Sequence, residues 1–300
     1  MPFPFAGEIC ALLAPLCWSV AVVLFKRSDA ASPMALNLFK NTVAILLLTV
    51  TLFAFGIGIP EDRSAWDWAR LALSGVLGLS VGDTLIFAAL QRVGAGRFAL
   101  IDTTYAPVIV ACSMIFLHEP AGPGFVVGAI LVVIGVTVAS VEPKSLKVEG
   151  DEPFPWAGVL LGFLGIVAMA LGVILSKPVL EASSLVEVTW SRMVAGVAGQ
   201  AVWLTVRGGW RGTLPVFRPS RLWKTMVPAA VIGSYVSMLL WVGGFKWAPA
   251  SVAAVLNQMS TVYILAMAWL VLKEKLEIRQ VVGALLAAVG AAVVGLTRTG

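Results

Sequence analysis

Apolar residues in this chain come in runs of about 20, separated by short polar punctuation. About 20 apolar residues is the length a helix needs to cross the hydrocarbon core of a bilayer. Measured against that length, the sequence predicts ten spans, over 5–25, 34–56, 69–90, 94–117, 122–141, 154–175, 184–206, 222–244, 248–272 and 278–297. Helices are expected because lipid cannot satisfy free backbone groups and the runs are too long for barrel strands. Most connections are only a few residues long. Two of them, 142–153 and 207–221, resemble linkers, and no soluble domain fits anywhere.

The 142–153 segment divides the chain almost in half, and the halves repeat. At an offset of 155 residues, the stretch from Ala95 aligns without gaps on the stretch from Ala250. Glu119 then falls on Glu274, Gly128 on Gly283 and Gly135 on Gly290. The earlier helices repeat more weakly at an offset of 151, with Lys26 on Lys177 and Asn41 on Arg192. These aligned Glu and Gly positions are not generic hydrophobes. Each half holds five spans, so tandem copies must sit in opposite orientations. That is the inverted repeat of many secondary transporters, which carry a site near the midplane. The expected fold is an all-α integral membrane protein with ten transmembrane helices in two inverted five-helix repeats, 5–141 and 154–297.

Composition narrows the class. The chain of 300 residues is 59% hydrophobic and 12% charged, against about 45–50% and 25% in soluble domains. This excludes a cytosolic enzyme, a secreted domain and a disordered chain. The net charge of +5 points to loops beside anionic lipid, and no basic patch suits nucleic acid. Cys10, Cys17 and Cys112 lie in apolar runs with no metal or disulfide spacing. The N-terminal stretch lacks the basic region of a signal peptide, so the first span is expected to be retained. Loops after odd-numbered spans hold fourteen Lys and Arg, and those on the other side hold five. By the positive-inside rule both termini lie outside.

Charges deep in a bilayer are expensive and mark function by default. Four fall clearly within the predicted spans: Lys40, Asp83, Asp102 and Arg192. Lys40 and Arg192 occupy near-equivalent places in the second span of each half and are candidates to bind an anionic group. Asp102 is the sharpest candidate, with Tyr105 at i+3 on the same face. Pro107 follows and removes a backbone donor. The repeat partner of Asp102 is Asn257, with Gln258 and Tyr263 after it, so both halves are polar at the same depth. Asp83, after Ser80 and Gly82, joins Asp102 as a candidate proton-coupling group. Trp18, midway along the first span, suits stacking on an apolar or aromatic substrate. Trp241 is expected to pack. Glu119 and Glu274 sit at helix ends, where a cap or an ion pair is the expected role. The glycines of the fifth and tenth spans are expected to permit close packing.

The chain resembles a member of the drug/metabolite transporter superfamily with two EamA domains. The likeness rests on the five-plus-five layout, on FLHEPAGPGFVVGAILVVIGV against VLKEKLEIRQVVGALLAAVGA, and on VGDTLIFAALQRVGAGRFALIDTTYAPV. It covers nearly the whole chain. The resemblance implies export of metabolites or amino acids from bacterial inner membranes by alternating access around a central cavity. It also implies cytoplasmic termini, against the Lys and Arg distribution. His118 and Pro120 beside Glu119 depart from Lys273 and Lys275 beside Glu274.

Tempting motifs lead elsewhere. Gly78, Ser80 and Gly82 spell GxSxG, but inside a hydrophobic span and with His118 the only histidine. His118 and Glu119 do not extend to a zinc motif, and no phosphate loop is present. The expectation is therefore a secondary transporter or facilitator of amino-acid-like or related polar solutes. It is not an enzyme, and no cofactor or metal is expected. Its partners are a small-molecule substrate and the lipid bilayer, with a homodimer as one possible assembly. The rival classes are a membrane sensor or assembly subunit, an intramembrane enzyme and a channel.

Overall fold

A computed structural model describes residues 4–26, 33–140, 156–272 and 277–297. Glu274 and the 142–153 segment fall outside these. The described residues are helical or in turns, and they contain no strand. In chain order the helices are α1 (Ala6–Lys26), α2 (Pro33–Ala54), α3 (Ala65–Gly75), α4 (Asp83–Asp102), α5 (Tyr105–Phe116), α6 (Pro123–Ser140) and α7 (Trp156–Ala182). They continue with α8 (Leu185–Arg207), the single turn α9 (Trp210–Thr213), α10 (Trp223–Ala230), α11 (Ser237–Trp247), α12 (Ala250–Asn257), α13 (Ser260–Leu272) and α14 (Ile278–Thr297). Seven stretches are long and apolar enough to cross a membrane: Met34–Ala54, Ala65–Ile86, Pro123–Ser140, Trp156–Ala182, Trp223–Trp247, Ala250–Met267 and Ile278–Thr297. Ala6–Ala21 and Tyr105–Phe116 are shorter apolar helices. The molecule is a multi-pass membrane protein.

The outer surface confirms its solvent. On α6, Phe125, Val132 and Val136 are buried, while Val126, Val127, Ile130 and Ile134 are exposed. A helix apolar on both faces, one against protein and one outward, is built for lipid.

The two expected spans at 69–90 and 94–117 carry irregularities that their apolar pattern does not show. Helical backbone pattern extends from α3 through a wider π turn (Val76–Gly82) to the end of α4, but it is not one straight rod. Gly162 on α7 has both Ala89 and Ile101 against it. In a straight helix twelve residues would separate those two by about 18 Å, so the chain doubles back between them. A further interruption comes at Thr103 and Thr104. The second half has the same plan. Its π turn (Val231–Val236) starts 155 residues after the first, and α12 stops at Asn257, 155 residues after Asp102.

The 207–221 stretch is not a free linker. It folds as α9 and a 3-10 turn (Leu214–Phe217). Phe39 of α2 packs against Phe217 and Trp223 with ring centroids 5.7 and 5.5 Å apart, and the Trp223 indole donates to Val216 O at 3.1 Å. Aromatic burial anchors a segment whose composition reads as loop.

The closest helix pair is α6 with α14. Gly128 lies against Gly290 and Gly135 against Gly283, so the two helices run antiparallel. They touch backbone to backbone. A Cβ on Gly135 would stand 2.6 Å from Gly283 O, and one on Gly283 would stand 2.5 Å from Gly135 O. Small residues let membrane helices approach this closely. Gly135→Ala is therefore expected to destabilise the protein by about 1–3 kcal/mol through overpacking, read as a lower melting temperature in detergent. Gly122→Ala, with open space around it, is the matched control and should melt with the wild type.

Candidate substrate site

The site is built on interrupted helices. Pro107 has no N–H to offer the carbonyl of Thr103, one turn earlier. The chain tightens there, with Thr104 N donating to Ile101 O at 3.0 Å and the Thr104 hydroxyl to the same carbonyl at 2.7 Å. The side-chain amide of Gln258, from the corresponding break in the other half, donates to Asp102 O at 3.3 Å and Thr103 O at 3.4 Å. At that second break no proline intervenes. Gln258 N and Met259 N bond three residues back, at 3.2 and 3.1 Å, and Ser19 of α1 reaches Ser260 O at 3.4 Å. The two breaks meet through Gln258, which is itself buried.

Around this point the side chains form two groups. In the first, Lys40 Nζ lies 5.9 Å from the Trp18 ring centroid and donates to Asn41 Oδ1 at 3.1 Å. Asn41 in turn donates to Asn37 Oδ1 at 3.3 Å. Asp83 is the opposite charge facing Lys40 and is within hydrogen-bonding reach of Asn37. This group brings together one cation, one anion and two amides.

The second group is built differently. Arg192 on α8 is 4% exposed, and its guanidinium carbon sits 5.7 Å from the Trp241 ring centroid. Tyr105 is close enough to both Arg192 and Asp102 to feel each charge, with the Trp241 indole beside it. Arg192 Nε, the Tyr105 hydroxyl and both polar atoms of the Asn257 amide are buried with no hydrogen-bond partner among the described residues. The neighbours of Arg192 are otherwise engaged. Trp190 donates to Thr49 on α2 at 2.9 Å, and Ser191 donates to Glu187 at 2.9 Å. A buried polar group left unmatched costs about 1–3 kcal/mol. Several in one place mark a site shaped for something else to fill. Chemically, Arg192 and Asn257 can take an oxyanion, Tyr105 can donate or accept, and Asp102 can take a cationic group.

Of the residues singled out in the sequence, Trp18, Lys40 and Asp83 come together in one group, and Asp102, Tyr105 and Arg192 in the other. Gln258 ties the breaks and Asn257 adjoins it. Tyr263 is half-buried against the apolar core and makes no polar contact with either group among the described residues. Trp241, expected only to pack, lies over the Arg192 guanidinium. Asn37 and Asn41 complete the Lys40 group but carry no charge that would single them out.

Buried charge also extends beyond the four residues expected. Glu187 and Lys177 are buried too. They are tolerated because each is paired. Arg63 grips Glu187 with two bonds, at 2.6 and 2.7 Å, and Ser183 with a third at 2.9 Å. Lys177 donates to Phe245 O at 2.8 Å and Ala248 O at 3.1 Å, covering the end of α11. Lys246 does the reverse, covering Leu180 O and Ser183 O at the end of α7. Cations at helix C-termini meet the negative end of the helix dipole.

Comparison with known proteins agrees with this architecture. A solved structure titled only "Crystal structure of protein" superposes with a TM-score of 0.78 at 18% identity, covering 98% of this chain and 99% of that one. That likeness shows the fold alone. No curated protein matches the chain. The profile of the EamA-like transporter family matches residues 5–141 and again 156–296. Matched twice along nearly its whole length, the chain belongs to the EamA-like transporter family.

Proposed function

We propose that this protein is a secondary transporter that exports small amino-acid-like or related polar solutes by alternating access around a central site. It would work as ten transmembrane helices in two inverted five-helix repeats, 5–141 and 154–297, in a bacterial-type inner membrane. The antiparallel contact of α6 with α14 supports the inversion, because these helices are repeat equivalents. The paired π turns and the paired breaks, each 155 residues apart, support the repeat itself. Residues 6–26, 94–117 and 185–207 supply the spans beyond the seven recognised by length and hydropathy.

One observation carries the functional reading. Arg192 is buried without an anionic partner among the described residues, over Trp241 and next to unmatched Tyr105, with the unmatched Asn257 amide at the break opposite Asp102. A carboxylate on the solute would satisfy Arg192, and a flat or apolar portion would lie on Trp241. Asp102 would take an amino group. The Lys40–Asp83 group, with one charge of each sign, is suited to exchange a proton as the carrier cycles.

In sealed proteoliposomes, Arg192→Gln is expected to lower kcat/KM for a carboxylate-bearing solute by about tenfold or more, the worth of a charge-assisted hydrogen bond. The same solute as its amide should lose much less. Asp102→Ala should abolish or reshape transport while elution and melting stay as in the wild type. Wild-type kinetics and discrimination in both variants would refute the site. For coupling, Asp83→Asn is expected to keep solute exchange but lose accumulation driven by a pH gradient. Accumulation that ignores a pH gradient in the wild type would remove the coupling role.

A further inference from the structure

The turn after α5 has a shape that sequence does not call for. His118 has φ of 55°, in the left-handed region that favours glycine. Leu117 N and Glu119 N both return to Ser113 O, at 2.9 and 3.3 Å, so the helix ends in a tight reversal. A non-glycine residue held there costs of order 1 kcal/mol, and such outliers persist where the surroundings require them. The surroundings here are the next residue's contacts. Glu119 Oε1 accepts from Ala250 N at 2.6 Å, and Oε2 accepts from Ser251 N at 2.9 Å and from the Ser251 hydroxyl at 2.7 Å.

These three bonds seize the start of α12. That helix has no side-chain cap of its own, because Pro249 stands in the capping position. All eight of its residues are buried and none is charged. A carboxylate at a helix N-terminus satisfies orphan donors and meets the positive end of the dipole. The far end of α12 carries Asn257, with Gln258 following and bonded back to Asp102 O and Thr103 O. A short apolar half-helix is thus held at both ends by the first half of the chain. The grip on its outer end is a single side chain reaching across from α5. A cavity of about 330 Å³ lies beside that grip, lined by Leu117, Glu119, Lys177, Glu181, Lys246 and Trp247 among others. The cavity opens to the outside of the protein at this end.

We propose that Glu119 is a positioning residue for the substrate site. By seating α12, it sets where Asn257 and Gln258 stand, two helical turns away. It touches no substrate. Its effect is transmitted through α12, and the strained His118 backbone holds its carboxylate on target. This rests on the transporter reading for its kinetic consequence but not for its structural one.

The test uses full-length protein with Cys10, Cys17 and Cys112 replaced by alanine and one cysteine placed at Ala254, which is fully buried on α12. A charged, water-soluble thiol reagent reads how often α12 leaves its seat. Glu119→Ala is expected to raise the labelling rate about tenfold or more, the scale of a lost charge-assisted cap. Glu119→Gln, which keeps an acceptor oxygen but not the charge, should fall between that and the parent. Glu181→Gln, in the same cavity but half exposed, should leave the rate unchanged. In transport, Glu119→Gln should raise KM more than it lowers kcat. Labelling that is unchanged in Glu119→Gln and Glu119→Ala overturns the proposal. So does an equal rise in Glu181→Gln. If Glu119→Ala fails to fold, Glu119→Gln with parent-like labelling overturns it alone. Faster labelling with no solute carried would leave the seat of α12 standing and refute transport instead.

Discussion

A bilayer offers no hydrogen bonds, so each interruption of a membrane helix must find its partner inside the protein. The breaks and turns of this chain follow that constraint closely. The carbonyl that Pro107 leaves free at Thr103 is met by the Gln258 amide from the other half. The π turn after α3 exposes Leu79 O, and Gln200 donates to it at 3.0 Å. The ends of α7 and α11 are covered by lysines from each other's helix, and the start of α12 is held by Glu119. Apart from the two lysines, which join helices of the second half, these ties run between the two halves. The polar site sits among these ties because only there are polar side chains already required.

The two polar groups divide the work by charge. Lys40, Asn41 and Asn37 are linked by hydrogen bonds and share their surroundings with the opposite charge of Asp83. Arg192, Tyr105 and Asn257 keep polar atoms unmatched. Removing one member from the first group leaves a charge uncompensated, which costs heavily in a dry interior. Adding a ligand to the second relieves a cost already present. Trp18 and Trp241 each give a cation an aromatic face, which favours a weakly hydrated guanidinium or ammonium without discharging it.

Much of this was legible in the chain. The repeat showed through Glu119 and the glycines, whose positions owe nothing to generic hydrophobicity. The break at Thr103 was signalled by Pro107. The break at Gln258 had no such signal, because nothing local there removes a hydrogen bond, and it follows from packing against the first half. The π turns were equally silent, since a run such as Val76–Gly82 is apolar whether its turns are tight or wide. Arg63 and Glu187 were out of reach for another reason. They lie 124 residues apart, and neither has a local pattern that announces the other. The linker at 207–221 misled because Pro and Gly describe how a chain bends, while Phe39, Phe217 and Trp223 decide where it is held.

The glycine seam has one more property. Gly128 meets Gly290 and Gly135 meets Gly283, whereas the sequence repeat equates Gly128 with Gly283 and Gly135 with Gly290. Each surface therefore touches the other's equivalent by the reciprocal rule that relates two identical subunits across a dyad. The contact is self-complementary at its four glycines. Covalent linkage raises the local concentration of the partner and frees the two surfaces to diverge. The same two glycine positions therefore serve both sides of the seam, each fitting the groove that its repeat counterpart also offers.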